Sequence, residues 1–303
     1  MAASLSSASR KTQLWLAFAT IYLVWGSTYL AIRIGVHEAP PMLLAGLRFA
    51  LASPLMVAYA LWRGDRFPRA RRDYLIVAST GILMLVGGNG LVTWAEQWVA
   101  SGQTALIVAT SALWIAWFGS FGSKGVALNV VTVLGLLLGF AGVALLVGDG
   151  LHATAAPAAA YVALVISPIA WAAGSILSLR YPLSCGPMMA AALQSSVGAV
   201  VLCGAGLLHG DAQRWVWTPA VLGSVLYLAV FGSFVAYNAY YWLVHATTPA
   251  QLSTYAYVNP AVAVLLGWLI LGERLSAMQL AGMAVILVSV LAVNLKAMRR
   301  KPA

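Results

Sequence analysis

Residues 234–275 read FVAYNAYYWLVHATTPAQLSTYAYVNPAVAVLLGWLILGERL. The stretch holds the end of one apolar run, 218–241, and the whole of a second, 249–271, each near the ~20 residues that cross a bilayer as a helix. A short polar joint, residues 245–249, separates them. The second run carries Pro260 at its middle and ends in Leu271-Gly272-Glu273-Arg274-Leu275. In the first run Phe234, Tyr237, Asn238 and Tyr241 fall at i, i+3, i+4 and i+7, which is one helical face. In the second, Gln251, Thr254, Tyr255, Val258 and Asn259 repeat that pattern. Polar and aromatic groups gathered on one face of a membrane-length helix point to a wall of a cavity.

The whole chain has the composition such helices need. Of 303 residues, 62% are hydrophobic and 8% charged, and the mean hydropathy is +0.90. Soluble domains carry about 25% charged residues, so the class is an all-α polytopic membrane protein. Ten spans are expected, at roughly 13–33, 41–62, 74–95, 102–121, 126–148, 158–179, 186–208, 218–241, 249–271 and 277–296. A barrel would show short alternating strands, and no useful length alternates.

The formal net charge of +10 is distributed by side. With the N-terminus inside, ten spans return the C-terminus inside. Of the 17 Lys and Arg, Arg33, Arg214 and Arg274 then lie outside and Arg48 within a span, and the rest lie in the cytoplasm. The basic excess is an orientation signal, and no nucleic acid is expected as a partner. Cys185 and Cys203 are 18 residues apart on one expected helix, about 27 Å along its axis. They read as small apolar residues rather than a disulfide or metal pair. Arg10 and Lys11 precede the first run as in a signal peptide, but the run is long and lacks a small-residue cleavage site. It reads as a retained span.

Further stripes lie along the chain. Phe18, Tyr22, Trp25 and Tyr29 share a face of the first helix, which is a packing seam or a cavity wall. Arg48 sits in the second, where a charge must meet a wet cavity, snorkel or find carbonyls. It serves there as an anchor or as a substrate contact. Asn89, Thr93 and Glu96 share a face of the third, with Trp94 and Trp98 beside it. Glu96 is expected near the outer end, hydrated and ionised; deeper in, it would hold a proton. Gln103, Thr110, Ser111 and Trp114 follow in the fourth helix, and Ser167, Trp171, Gly174, Ser175 and Ser178 mark the sixth. Gly135-x-x-x-Gly139 in the fifth permits close contact within the chain or between two copies, which leaves a homodimer open.

Shifting the chain by about 148 residues aligns Gly26-Ser27 with Gly174-Ser175, Gln103 with Gln251, Ser111 with Asn259 and Gly119 with Gly267. Two halves of five helices follow. Because five is odd, the second half enters from the opposite side, giving inverted repeats with a site between them near the midplane. The halves are 13–148 and 158–296, joined by 149–157 and flanked by a tail at 1–12 and a basic tail at 297–303.

These residues resemble the EamA branch of the drug/metabolite transporter superfamily. The resemblance rests on Trp25-Gly26-Ser27 with Arg33, Leu47-Arg48-Phe49, Gly88-Asn89-Gly90-Leu91 through Trp94, Asn259-Pro260 and the Leu271–Leu275 turn. It implies ten helices in two inverted repeats around a cavity lined by helices one, three, four, six, eight and nine. It also implies export of amino acids, other metabolites or drugs across the inner membrane. The first half lacks a proline at Ala112 and has Gly122-Ser123-Lys124-Gly125 in place of the Gly-Glu-Arg turn. Glu273 and Arg274 read as an ion pair at a helix end.

The candidate substrate-binding residues are Trp25, Tyr29, Asn89, Thr93, Trp94, Trp171, Tyr237, Asn238, Tyr241, Gln251, Tyr255 and Asn259. Rings and neutral amides suit an amphipathic amino acid and not a polyanion. Drugs or amphipathic cations are the alternative substrates. The acids lie near helix ends or in loops, so facilitated efflux and proton exchange both stand. No nucleotide-binding loop, metal motif or catalytic constellation appears in the sequence, so no cofactor is expected, and an intramembrane enzyme or a receptor is disfavoured. The expected partners are a small-molecule substrate and the lipid bilayer.

Overall fold

A computed structural model describes residues 7–122, 130–153, 156–247 and 255–299. Within them the chain is helical, without strands. The helices are α1 Ser7–Val36, α2 Pro41–Trp62, α3 Arg71–Ala95, α4 Ser101–Phe118, α5 Val130–Ala153, α6 Ala158–Arg180 and α7 Pro187–Leu208. Next, α8 runs as α-helix over Pro219–Tyr227, as π-helix over Leu228–Val235 and as α-helix again over Ala236–Ala246; α9 is Tyr255–Leu271 and α10 is Ala277–Arg299. Seven of these, α1 to α4 and α6 to α8, contain stretches long and apolar enough to cross a membrane. Shorter apolar stretches mark α5, α9 and α10.

Local sequence sets several boundaries. Pro41, Pro187 and Pro219 open α2, α7 and α8, where the missing N–H costs nothing. The Thr218 hydroxyl caps α8 by accepting from the Val221 N–H at 3.2 Å. Pro54, Pro168 and Pro260 lie inside helices that continue through them, and Pro168 does not interrupt α6. Gly272 ends α9 at φ +65°, a left-handed conformation that glycine adopts without strain. Cys185 precedes α7 rather than lying on it, and both cysteines are free.

α3 is π-helical over Ile82–Gly90, as α8 is over Leu228–Val235. Such stretches are rare and gather at functional sites.

The helices pair in a regular way. α2 packs on α7 and α5 on α10. α1 packs on α8 and α9, and α6 on α3 and α4. Small residues permit these approaches. A Cβ on Gly46 would meet Cys203 Sγ at 2.5 Å and the Cys203 backbone N at 2.7 Å. A Cβ on Gly142 would meet Ile286 Cγ1 at 2.7 Å and the Gly282 carbonyl oxygen at 2.9 Å, so that glycine seats α5 on α10 within one chain. Leu44, Leu106, Ile107, Leu113, Tyr161 and Leu164 form the buried centre. Leu23, Leu51, Leu134, Leu137, Val200, Leu208 and Val288 point outward, as lipid requires.

Gly46→Val tests the tightest of these seams. Because the clash is with backbone, the seam must open, at a cost of about 1–3 kcal/mol. A fall in the melting temperature of the purified protein is expected; an unchanged one would show that α2 and α7 are not in close contact.

Candidate functional site

A cavity of about 120 Å³ lies between the two sets of helices. Periodicity explains how it is lined. Trp25, Thr28, Tyr29 and Ile32 reach it from α1 at i, i+3, i+4 and i+7. Ser167 and Trp171 on α6, and Tyr255 and Asn259 on α9, do so at i and i+4. Gly88 and Asn89 come from the π-helical part of α3, and Tyr237 from α8 just past its own π-helical part. Val92, Val108 and Ser111 complete the wall with Arg48, the one charged group among the lining residues described.

The rings form a connected set. Trp25 stands edge-on to Tyr237 at 5.8 Å and to Tyr255 at 5.4 Å, and lies 5.3 Å from Tyr240. Its indole N–H donates to the Gly232 carbonyl at 3.2 Å. Gly88 packs closely against the Trp171 ring: a Cβ there would come within 3.1 Å of it, so the ring would have to shift by a few tenths of an ångström. Asn259 Oδ1 is buried and has no hydrogen-bond partner among the described residues.

Arg48 is buried, with 6% of its surface exposed. Its Nε donates to Ser233 Oγ at 3.0 Å and its Nη2 to the Gly232 carbonyl at 3.4 Å. The guanidinium also lies 5.1 Å from the Phe49 ring centre. The π-helical register of α8 presents both acceptors.

Of the twelve residues expected at the site, Trp25, Tyr29, Asn89, Trp171, Tyr237, Tyr255 and Asn259 line the cavity. Three described ones do not. Thr93 donates to the Asn89 carbonyl at 2.8 Å. Trp94 packs edge-on to Trp98 at 5.0 Å. Asn238 Nδ2 donates to the Phe234 carbonyl at 2.9 Å. Gln251 and the Tyr241 side chain lie outside the described residues. Thr28, Ser111, Ser167 and Arg48 are the polar lining residues not in the expected set; Ser111 and Ser167 already stood on the marked stripes, Thr28 lies three residues from Trp25, and the depth of Arg48 was its own signal.

At one end of the bundle the two halves are joined by charge. Glu273, in the α9–α10 joint, accepts from the Ser101 N–H at 3.0 Å and the Ser101 hydroxyl at 2.8 Å. A third bond comes from the Gly102 N–H at 3.4 Å. The carboxylate thus sits on the N-terminus of α4, where free N–H groups and the helix dipole favour it. Arg33 Nε lies 3.9 Å from it. The partner of Glu273 is therefore Arg33 of the first half, and not Arg274 as the turn suggested. His37, in the joint after α1, is held below the ordinary imidazole range by partial desolvation and then by the Arg33 charge, against the pull of Glu273 and Glu38.

Glu96 departs from expectation. It is fully buried, and neither carboxyl oxygen has a hydrogen-bond partner among the described residues. Arg33 is close, but it donates to the Glu96 backbone carbonyl. The residue is not hydrated, because α1, α2 and α6 close over the end of α3. Such an environment suits the neutral acid and not an ionised carboxylate.

Residues 12–148 and 158–295 each match the EamA-like transporter family. An Escherichia coli K12 protein described as "Uncharacterized inner membrane transporter YedA" is 41% identical over 283 residues, spanning 92% of this chain and 90% of that one. The Bacillus subtilis "Uncharacterized transporter YvbV" is 26% identical over 293 residues, 97% of this chain and 95% of its own length. A solved structure described only as "Crystal structure of protein" superposes with a TM-score of 0.66 over 96% of this chain and all of that one, at 22% identity. That last likeness is one of fold.

The two glutamates should differ in what replacement by glutamine costs. Glu273→Gln weakens bonds to a charged acceptor, worth about 1–3 kcal/mol together, while Glu96→Gln replaces one neutral group by another and costs under about 1 kcal/mol. Melting temperatures of the two variants in detergent check this, and the reverse order would contradict both assignments.

Proposed function

This chain belongs to the EamA-like transporter family, within the drug/metabolite transporter superfamily, and on that premise we propose that it exports small amphipathic metabolites, above all amino acids with apolar or aromatic side chains, by alternating access. The observation that carries this reading is the cavity itself: the aromatic rings of Trp25, Tyr29, Trp171, Tyr237 and Tyr255 and the amides of Asn89 and Asn259 meet in one place, from helices of both halves. Rings offer stacking surface, and amides offer paired donors and acceptors.

The packing supports two equivalent halves. Moving each helix five places along exchanges the α1–α9 contact with α6–α4 and the α1–α8 contact with α6–α3, and returns α2–α7 and α5–α10 to themselves. The bonds between joints follow the same rule. Asp73, opening α3, accepts from the Ser184 N–H at 3.1 Å in the α6–α7 joint. Thr218, opening α8, donates to Glu38 in the α1–α2 joint. With an odd number of spans in each half, such equivalence means opposite orientation in the bilayer.

In this reading the halves rock about the cavity, with the glycine seams of α2–α7 and α5–α10 as pivots. The free space of about 120 Å³ is below the ~300 Å³ of ordinary ligand pockets. A metabolite therefore enters only as the halves part. Glu273 bridges the joints at what the charge distribution makes the outer end, so release to the outside requires its bonds to Ser101 to break. The protein lies in the inner membrane, as the description of its Escherichia coli relative suggests, with both termini in the cytoplasm, the orientation that the arginine and lysine distribution favours.

The face assignment gives the test. In proteoliposomes, Tyr237→Ala and Trp25→Ala should each lower saturable amino-acid flux about tenfold or more, the loss of one stacking contact and its packing. Asn238→Ala, whose amide is turned to its own helix, should retain flux at equal abundance. Absence of saturable flux for any amino acid in wild-type vesicles would overturn the reading.

A further inference from the structure

The cavity wall holds a positive charge for which the described part of the chain supplies no negative partner. Arg48 is buried in α2. No described carboxylate comes within ion-pair distance of it, whereas Arg33, nearer the end of the bundle, has Glu273. Two of the five guanidinium N–H groups are directed at Ser233 Oγ and the Gly232 carbonyl. Both acceptors are neutral. Nη1 carries neither of these bonds, and Arg48 is one of the residues that line the cavity.

Such a charge is costly at membrane depth. Serine and carbonyl oxygens hold the guanidinium in place without neutralising it. The acceptors fix one edge of the planar fork and leave the other for a planar anion, which is the geometry that favours a bidentate carboxylate. The position equivalent to Arg48 in the second half is Ser196, so the charge is single and gives the cavity a polar end and an aromatic end. Gly232 contributes space as well: a Cβ there would lie 3.4 Å from Arg48 Nη2 and 2.9 Å from Thr28.

We propose that Arg48 is the anion subsite of the cavity, and that the transported solute carries a carboxylate which seats on this guanidinium while its apolar part lies among Trp25, Tyr29, Tyr237 and Tyr255. The proposal rests on the transporter reading above and narrows it. Amphipathic cations are excluded as good substrates by like-charge repulsion, and acids without an amine become as acceptable as zwitterions.

The experiment uses four solutes that share a phenyl ring: phenylalanine, 3-phenylpropionate, phenylalaninamide and phenethylamine. Binding to the full-length purified protein is read by quenching of intrinsic tryptophan fluorescence, and flux is read in proteoliposomes. The two carboxylates should bind at least about tenfold more tightly than the amide and the amine, the value of a charge-assisted pair. Arg48→Gln should abolish that difference, and Arg48→Lys should keep part of it. Equal or tighter binding of phenethylamine or the amide to the wild-type protein overturns the proposal, as does failure of all four to bind. So does an Arg48→Gln variant, eluting and melting like the wild type, that keeps the carboxylate preference. Because the wild-type series decides alone, a variant that does not fold leaves the outcome determinate. The transporter reading fails separately, if the carboxylates bind with the stated preference and no solute shows saturable flux.

Discussion

A chain that places its backbone in lipid must satisfy its polar groups from within itself, and the contact of Arg48 with α8 shows how far that constraint shapes this molecule. The guanidinium needs acceptors at a depth where water is scarce. An ordinary α-helix has its carbonyls engaged and offers few. The π-helical stretch Leu228–Val235 alters that register, and there the Gly232 carbonyl and Ser233 hydroxyl meet Arg48 while the same carbonyl takes the Trp25 indole N–H. One irregular turn thus ties α1, α2 and α8 at the cavity wall. The matching stretch in α3, Ile82–Gly90, brings Gly88 and Asn89 to the opposite side.

The same irregularity bears on what could and could not be read beforehand. Helices, their approximate ends and the faces carrying Trp25, Tyr29, Trp171, Tyr255 and Asn259 follow from apolar length and a period of 3.6, because α1, α6 and α9 keep that period through the cavity. Thr93, Trp94 and Asn238 all follow a π-helical stretch in sequence. Bonds from i to i+5 widen the turn and rotate everything after it relative to a regular helix. Tyr237 and Val92 follow the same stretches and still reach the cavity, while Thr93 and Asn238 turn their polar groups to their own helices' carbonyls and Trp94 packs on Trp98. Nothing in the local sequence marks a π-helical stretch, since glycine and serine also serve as packing residues.

Tertiary covering was the other quantity hidden from the sequence. Glu96 stands at the end of an apolar run, where charged residues ordinarily meet water. Its burial depends on where α1, α2 and α6 lie, and on Arg33 reaching the backbone carbonyl above it. The Leu271–Leu275 turn was recognisable as a motif, but a motif does not disclose its partner. Glu273 stands two residues beyond Leu271, the last residue of α9, and 172 residues from Ser101 along the chain, and its carboxylate caps the first turn of α4.

The Glu273 contact and the glycine seams make opposite demands, and in the proposed cycle that opposition is what lets the halves part. The Glu273 bonds to Ser101 and Gly102 are local, directional and lost together once the joints separate by an ångström or two, because hydrogen bonds weaken steeply with distance. The glycine seams between α2 and α7 and between α5 and α10 run helix against helix, with Cys203 facing Gly46 and Ile286 facing Gly142, and in the proposed cycle they are the surfaces along which the halves slide. A molecule held by a sharp contact at one end and smooth contacts along its sides yields at the sharp contact first. In the proposed cycle, a carboxylate arriving at Arg48 adds the negative charge that the described cavity wall lacks, and so favours whichever arrangement of the halves lets solute reach that guanidinium.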